Sequence, residues 1–516
     1  MAATDKDPSA AIQLVEQTVN TFNQILVGTE GQFVPVPGYP DQPTLAERVK
    51  QNLSPSTVEA KAAAEAAKNY RDQAAQISGL TTVAEAVSQA VLPHPDVWLP
   101  LNEDIKLRAG FGREVKIGSD IVAMYAACER ASSATYFDKS GSLKTAGINE
   151  PRIEARGLLC EGARTNTIPT SAIALAPTTG VTHYRVIISD TGKKFADGRM
   201  WPKVCQDTST DTHSITGLGN FGSTGDKYVC ASVFVEFAEL DSIQLWVRDH
   251  TAVGNFASIT LKKDGTYTLS TGGSVSDAQC GVIKTPAGIR PWVSCKMVNP
   301  GQVRNQIYPK DSWSTAGDGI SGIYVTELQL EEGPTPSSLI QTTGTASTRA
   351  ADYPYLQRAG NDNYFGPITI AAEVSCNGRG VPGTVTDARR GIFSGYPFSN
   401  VYEILMIDPL SARVGWAYGG SSFSGGVVPA SIEDGNRHVV VAQCDGAKNR
   451  LYVDGVKGSV EQDVIASVGP DNGTGKDKLH LGYGAGGTSV RHLWGHIRNL
   501  RIWHRAISEA QIKGIA

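Results

Sequence analysis

From about residue 100 onward the chain is a succession of short alternating runs, among them KYVCASVFVEF, SIQLWVRD, ASITLKKDGTYTLS and GIYVTELQLEEG, cut by Gly, Asp, Ser and Thr. Alternation with period two sends successive side chains to opposite faces of a sheet. The 55 glycines of the 516 residues exceed the usual share of about 7%, and most of them sit in those cuts. Many short strands joined by tight turns read as mainly β, and a chain this long exceeds one core. The runs between 167 and 345 fit one β-sandwich of jelly-roll type, and those from 346 to 516 a second. TTGTASTRAADYP, polar and small, reads as the linker between them.

The front of the chain has a different grammar. Asp7-Pro8 is an N-cap followed by proline at the first helical position, and Ile12, Val15, Val19, Phe22 and Ile25/Leu26 follow at helical spacing. FVPVPGYPDQP cannot be helix and is expected to run extended over a surface. Residues 1–50 therefore read as a docking segment. In residues 51–95, Ala60, Ala63, Ala67, Tyr70, Ala74 and Ile77 keep a 3-4 spacing, the seam of a coiled-coil neck. Alanine buries little apolar area, so such a seam needs reinforcement from its neighbours.

The net charge of -4 has no run of either sign, which argues against nucleic acid and anionic membrane as partners. No segment approaches the roughly 20 apolar residues of a bilayer span, and MAATDKDPSA carries no secretory signal pattern. The eight cysteines lack C-x-x-C spacing and read as buried or idle thiols of a reducing cytoplasm.

Between neck and sandwiches, residues 96–166 contain ERASSATYFDKSGSLKTAGINEPRIEARGLLCEGARTN. Its sub-motifs Arg130–Tyr136, Asp138–Gly141, Asn149–Arg152 and Gly157–Asn166 resemble, in order and spacing, the connector of tailed-bacteriophage fibre, spike and appendage proteins. Leu328–Tyr353 is similar to the end of the carbohydrate-binding-module-like sandwich that follows this connector in such proteins. DGNRHVVVAQCDGAKNRLYVDGVKGS and WGHIRNLRIWHRAISEAQI resemble the central hairpin, closing strand and short helix of a laminin-G or concanavalin-A-like lectin domain. Arg437-His438 stands where that family usually has Trp-His. The resemblance implies a virion appendage, by analogy a homotrimer assembled in the host cytoplasm, docked by residues 1–50 and adhering to bacterial surface polysaccharide. It supplies no catalytic residue.

The hairpin stands without the analogy, because Val439, Val441, Leu451 and Val453 alternate with polar residues about Asp445-Gly446. Ile497 is out of phase with Leu500 and Ile502, which calls for a bulge between them.

Candidate chemistry is sparse. Glu331 and Glu332 are adjacent in a strand and point to opposite faces, so they cannot flank one glycosidic bond; one is expected solvated and the other hydrogen-bonded. Glu461 and Asp463 lack a third acid, with Ser467 near its place. His492 and His496 flank Trp494 on the same face of a strand and could be metal ligands, with no third ligand in view. Lectin-type sandwiches often hold Ca²⁺ by loop oxygens, for which Asp434, Asp445, Asp454 and Asp471 are candidates without a spacing to single them out. Sugars stack on aromatic rings, and Tyr396, Trp416, Tyr418, Phe423 and Tyr483 lie in or beside Gly/Ser-rich stretches. Trp416 and Tyr418 lead, then Tyr396 and Tyr483. Two other readings stay open: a decoration of head, collar or tail that binds nothing, and a capsule depolymerase using the middle sandwich.

Overall fold

The computed structural model describes residues 8–37, 39–52, 92–310, 315–362, 366–376, 390–398, 401–408, 413–420, 432–459, 461–463, 477–484 and 491–515. The coiled-coil neck lies outside the described residues. The chain divides into two units, 1–91 and 92–516.

In the first unit a helix spans Pro8–Val27, with proline opening it as expected. Its apolar row is exposed, including Val15, Phe22 and Leu26. The proline-rich stretch does not run extended alone. It folds back as a hairpin of Phe33–Val36 with Tyr39–Pro43, kinked by a register shift between Val34 and Val36. A second helix, Leu45–Asn52, follows. Thr44 caps it by accepting from Glu47 N at 3.2 Å, while the Glu47 carboxylate turns back to accept from Gly31 N at 2.6 Å. Thr44-x-x-Glu47 is a capping-box pattern that could have announced this helix.

In the second unit, the middle sandwich packs two six-stranded antiparallel sheets over one core. The first sheet runs Val181–Tyr184, Ser214–Gly222, Gly301–Tyr308, Ser242–Asp249, Phe256–Lys262, Tyr267–Gly272. The second runs Val186–Ser189, Lys203–Gln206, Gly322–Glu332, Lys227–Phe237, Gly288–Met297, Ser276–Thr285. Val229, Val233, Leu245, Ile259, Ile307 and Leu330 are among the residues closing the core between them.

The C-terminal sandwich corrects the expected boundary. Residues 96–166 are not a connector standing apart, because their strands complete its sheets. Val97–Leu99 and Gly157–Cys160 both pair along one edge of Gly495–Trp503, and Ala127–Glu129 pairs with Tyr353–Gln357. Leu99, Leu101, Leu158 and Cys160 are buried in the same core as Ile370, Leu451 and Ile502. Nothing local in the sequence announces pairing across roughly 400 residues.

The bulge is where the phase change asks for it. Ala371 faces Arg501 but Glu373 faces Arg498, and Asn499 takes φ 51°. Asn499 is held there by Pro100 O, Trp98 Nε1 and Glu373 Oε1. The hairpin forms between His438–Cys444 and Lys448–Val453, and Asp454-Gly455, both at positive φ, turn the chain into Val456–Lys457. Its alternation is a departure: Val439, Val440, Val441 and Ala442 are all buried, on both faces. The expected short helix is Glu509–Lys513, with Ser508 and Gln511 completing a capping box.

The recurring motif residues converge in one buried place. Arg130 reaches Asp352 at 3.0 Å, Arg152 reaches Glu161 at 2.9 Å and also Asp352, and Arg349 lies 3.4 Å from Glu161. Arg130 also donates to the carbonyls of Ser132, Glu150 and Gly147, and Asn149, at φ 61°, accepts from Arg130 N. Burial would push the Glu161 carboxyl up, but Arg349, Arg152 and the Ser338 hydrogen bonds hold it at about 2. Asn166 satisfies all of its amide, donating to Leu328 O and Ile340 O and accepting from Ile168 N and Leu330 N. These residues tie the segment before the middle sandwich to the segment after it. All eight cysteines are free, and seven are buried.

Candidate functional site

The first sheet of the middle sandwich has one face in the core and one outside. Along Ser242–Asp249, Ile243, Leu245 and Val247 point in, and Gln244, Trp246 and Arg248 alternate with them. Register carries this row across the sheet. Thr182 pairs with Thr216, Thr216 with Gln306, Gln306 with Trp246 and Trp246 with Ser258. Two residues along each strand, Tyr184 faces Ser214, and Arg304 lies between Leu218 and Arg248.

This outer face carries a groove of about 490 Å³ lined by Tyr184, Asp211, Thr216, His250, Arg304 and Gln306 among others. Beside it Trp246 stacks on Phe256 with centroids 4.2 Å apart, and Tyr308 meets Trp246 edge-on at 5.6 Å. Trp246 Nε1 is held by Gln244 Oε1 at 3.0 Å. Tyr184 is half-exposed at the groove's margin. Gln306 is only 6% exposed, and its Oε1 has no hydrogen-bond partner among the described residues. A buried acceptor without a donor is costly unless something fills the groove. Aromatic faces beside hydroxyls, an amide and cationic donors are what a sugar's apolar face and hydroxyls require.

None of these residues was picked out by sequence reasoning. The signal was available, since SIQLWVRD alternates apolar with Gln, Trp and Arg. What was missing was the neighbour: which strand lies beside it, and in which register.

The sequence-chosen aromatics fall elsewhere. Trp416 and Tyr418 lie in strand Arg413–Gly420, paired with Leu405 and Glu403, and Tyr396 lies in strand Arg390–Phe398. The side chains of all three, and Phe423 entirely, lie outside the described residues. Tyr483 does not stand free. Its ring packs 5.2 Å from Tyr353, 5.2 Å from His480 and 5.1 Å from His492. Burial lowers both imidazoles to about 4.

The histidines thought to flank Trp494 on one strand belong to two. His492 ends Arg491–His492, and His496 lies in Gly495–Trp503 and meets Glu154 at 2.8 Å. Trp494 between them takes φ 54° and lies under the Arg164 guanidinium, 3.9 Å from its centroid. Among the candidate calcium acids, Asp434 and Asp454 clamp His438 from either side at 3.0 and 2.7 Å. Burial alone would lower this imidazole, but the two carboxylates raise it. Asp445 holds its own turn and Arg450, and Asp471 lies outside the described residues. Among the described residues no group of three or more His, Cys, Asp or Glu is arranged to hold a metal ion.

The adjacent glutamates behave as their strand dictates. Glu331 is buried, accepting from Ser337 N, Ser337 Oγ and Gln329 Nε2, while Glu332 is exposed and meets Lys227 at 3.2 Å. Glu461 bridges Arg450 and Lys457, and Asp463 meets Lys448.

Comparison with known proteins adds the following. Residues 351–513 match the family model of the concanavalin A-like lectin/glucanases superfamily. No curated protein matches the chain. Among solved structures it is similar to domain 4 of AbnA, a GH43 extracellular arabinanase from Geobacillus stearothermophilus, in complex with arabinotriose. There the identity is 16%, over 35% of this chain and 82% of that one, with a TM-score of 0.24. It is also similar to domains LG4-5 of the mouse laminin alpha1 chain, with 13% identity over 66% and 95% of the two chains and a TM-score of 0.20. Trypanosoma rangeli sialidase shows 9% identity over 81% and 97%, with a TM-score of 0.25. Scores this low carry no argument about activity. Residues 351–513 carry a concanavalin A-like lectin/glucanase domain, to which the fold adds strands from residues 97–160.

Proposed function

We propose that this chain is a glycan-binding appendage of a tailed-bacteriophage virion, and that the outer face of its middle sandwich is a binding surface for bacterial surface polysaccharide. The groove bounded by Tyr184, Arg304 and Gln306 carries the binding reading. The virion setting rests on the resemblance of residues 129–166 and 328–353, whose charged residues meet in one buried network. Residues 1–50 dock to another virion protein, using the apolar row on helix Pro8–Val27. Three copies raise weak single contacts through avidity, by about 10²–10⁴.

Binding is favoured over capsule cleavage by one observation. Cleavage by the middle sandwich needs carboxylates about 5–10 Å apart in a groove. Among the described residues the one acid lining this groove is Asp211, and it is paired with Arg185 at 3.2 Å. The test is to incubate the purified full chain with a panel of bacterial capsule and lipopolysaccharide extracts. Retention without release of reducing ends is expected. Release of reducing ends would make it a depolymerase, and neither retention nor release would make it a decoration.

A further inference from the structure

Resting on the glycan-binding reading, we infer that the middle-sandwich groove takes a carboxylated sugar, with Arg304 receiving the carboxylate. Three observations converge. Arg304 lines the groove and, among the described residues, no carboxylate lies within 4.0 Å of it. The other acids nearby are already engaged: Asp211 is paired with Arg185, and Asp249 accepts from Thr251 N, Thr251 Oγ1 and Ala252 N in its own turn. The groove therefore holds a cation that its own walls do not neutralise.

The second observation is how that cation is aimed. Arg304 Nε donates to His250 Nδ1 at 3.0 Å, which fixes the guanidinium plane and makes Nδ1 the acceptor. The neutral imidazole then carries its proton on Nε2. His250 is anchored in turn by its backbone N–H to Gln302 O at 2.9 Å. Guanidinium and imidazole thus give the groove two kinds of donor, and the terminal nitrogens of Arg304 form the planar fork that matches a carboxylate. Arg248, opposite Arg304 in register, adds a second positive charge to the same face.

The third is Gln306, whose buried Oε1 lacks a partner among the described residues two positions along the strand. It is an acceptor, so it takes a donor such as a sugar hydroxyl. Sulfate alone satisfies the fork but offers no donor to that oxygen. A sugar carrying both carboxylate and hydroxyls satisfies both, with Tyr184 at the margin for its apolar face.

The experiment uses the full chain and isothermal titration with trigalacturonate, an α2,8-linked sialic acid trimer and the methyl ester of each. At least one free acid is expected to bind about tenfold more tightly than its ester. Arg304→Gln is expected to erase that difference while leaving the melting temperature unchanged, and Arg304→Lys to retain part of it. Equal binding of acids and esters, unaffected by Arg304→Gln, overturns the carboxylate inference and leaves the glycan reading standing. Binding of neither acids nor esters overturns the carboxylate inference too. The glycan reading then falls only if the polysaccharide extracts are also not retained.

Discussion

The two sandwiches use the same sheet physics and reach opposite ends. In the middle one, strand Ser242–Asp249 buries every second residue and leaves Gln244, Trp246 and Arg248 on an uncovered face. In the C-terminal one, all nine residues of Ile368–Cys376 are buried, because that sheet has both faces covered. A second apolar cluster of Val439, Val441, Tyr452 and Trp503 receives Ile507 and, from the closing helix, Ile512 on the outside. Trp503 Nε1 donates to Pro93 O at 2.6 Å and His504 N to Asp96 at 2.7 Å, so residues 93–96 are bound there too. A lectin-like fold therefore does not mark the binding face by itself. Among the described residues, the outer face of the middle sandwich's first sheet is left open by packing and carries the groove.

Four measurements test this contrast. The largest effect is expected from Asp352→Ala, which leaves Arg130 and Arg152 short of a buried partner. A loss of about 3–5 kcal/mol in denaturant unfolding is expected. Separate melting of two domains in the wild type, with only one affected, would show the network does not join them.

Acid comes next. His480 and His492 have folded values lowered to about 4 from an ordinary 6.5, so the unfolded chain takes up the protons first. Their contribution is full above pH 6.5 and is lost as pH falls towards 4, by about 3 kcal/mol each. The Asp-clamped His438 runs the other way: its contribution is present below the ordinary value and fades as pH rises through its raised one. Thermal melts across this range should show the melting temperature falling in acid, and His492→Phe should flatten the slope.

Glu331→Ala removes a buried acceptor of three hydrogen bonds, and about 1–3 kcal/mol is expected. Glu332→Ala, which loses one exposed pair, should fall within about 0.5 kcal/mol. Equal effects from the two neighbours would refute the strand geometry. The last is Tyr184→Ala: unchanged melting, with retention of polysaccharide weakened by about 1 kcal/mol from the lost ring. An unchanged affinity would move binding off the open face.

The sequence by itself determined the local grammar. Period-two runs became strands, Asp7-Pro8 preceded a helix that opens at Pro8, the phase slip between Ile497 and Leu500 became a bulge, and Glu331 and Glu332 parted to inside and outside. Each is decided by the backbone geometry of a few consecutive residues. Tertiary structure alone decided that Val97–Leu99 and Gly157–Cys160 complete a sheet begun by residues far downstream. It also decided that Thr182, Thr216, Gln306 and Trp246 form one row. Those outcomes depend on which strands become neighbours and in what register, and hydrogen bonds between backbones carry no residue code that a single sequence displays.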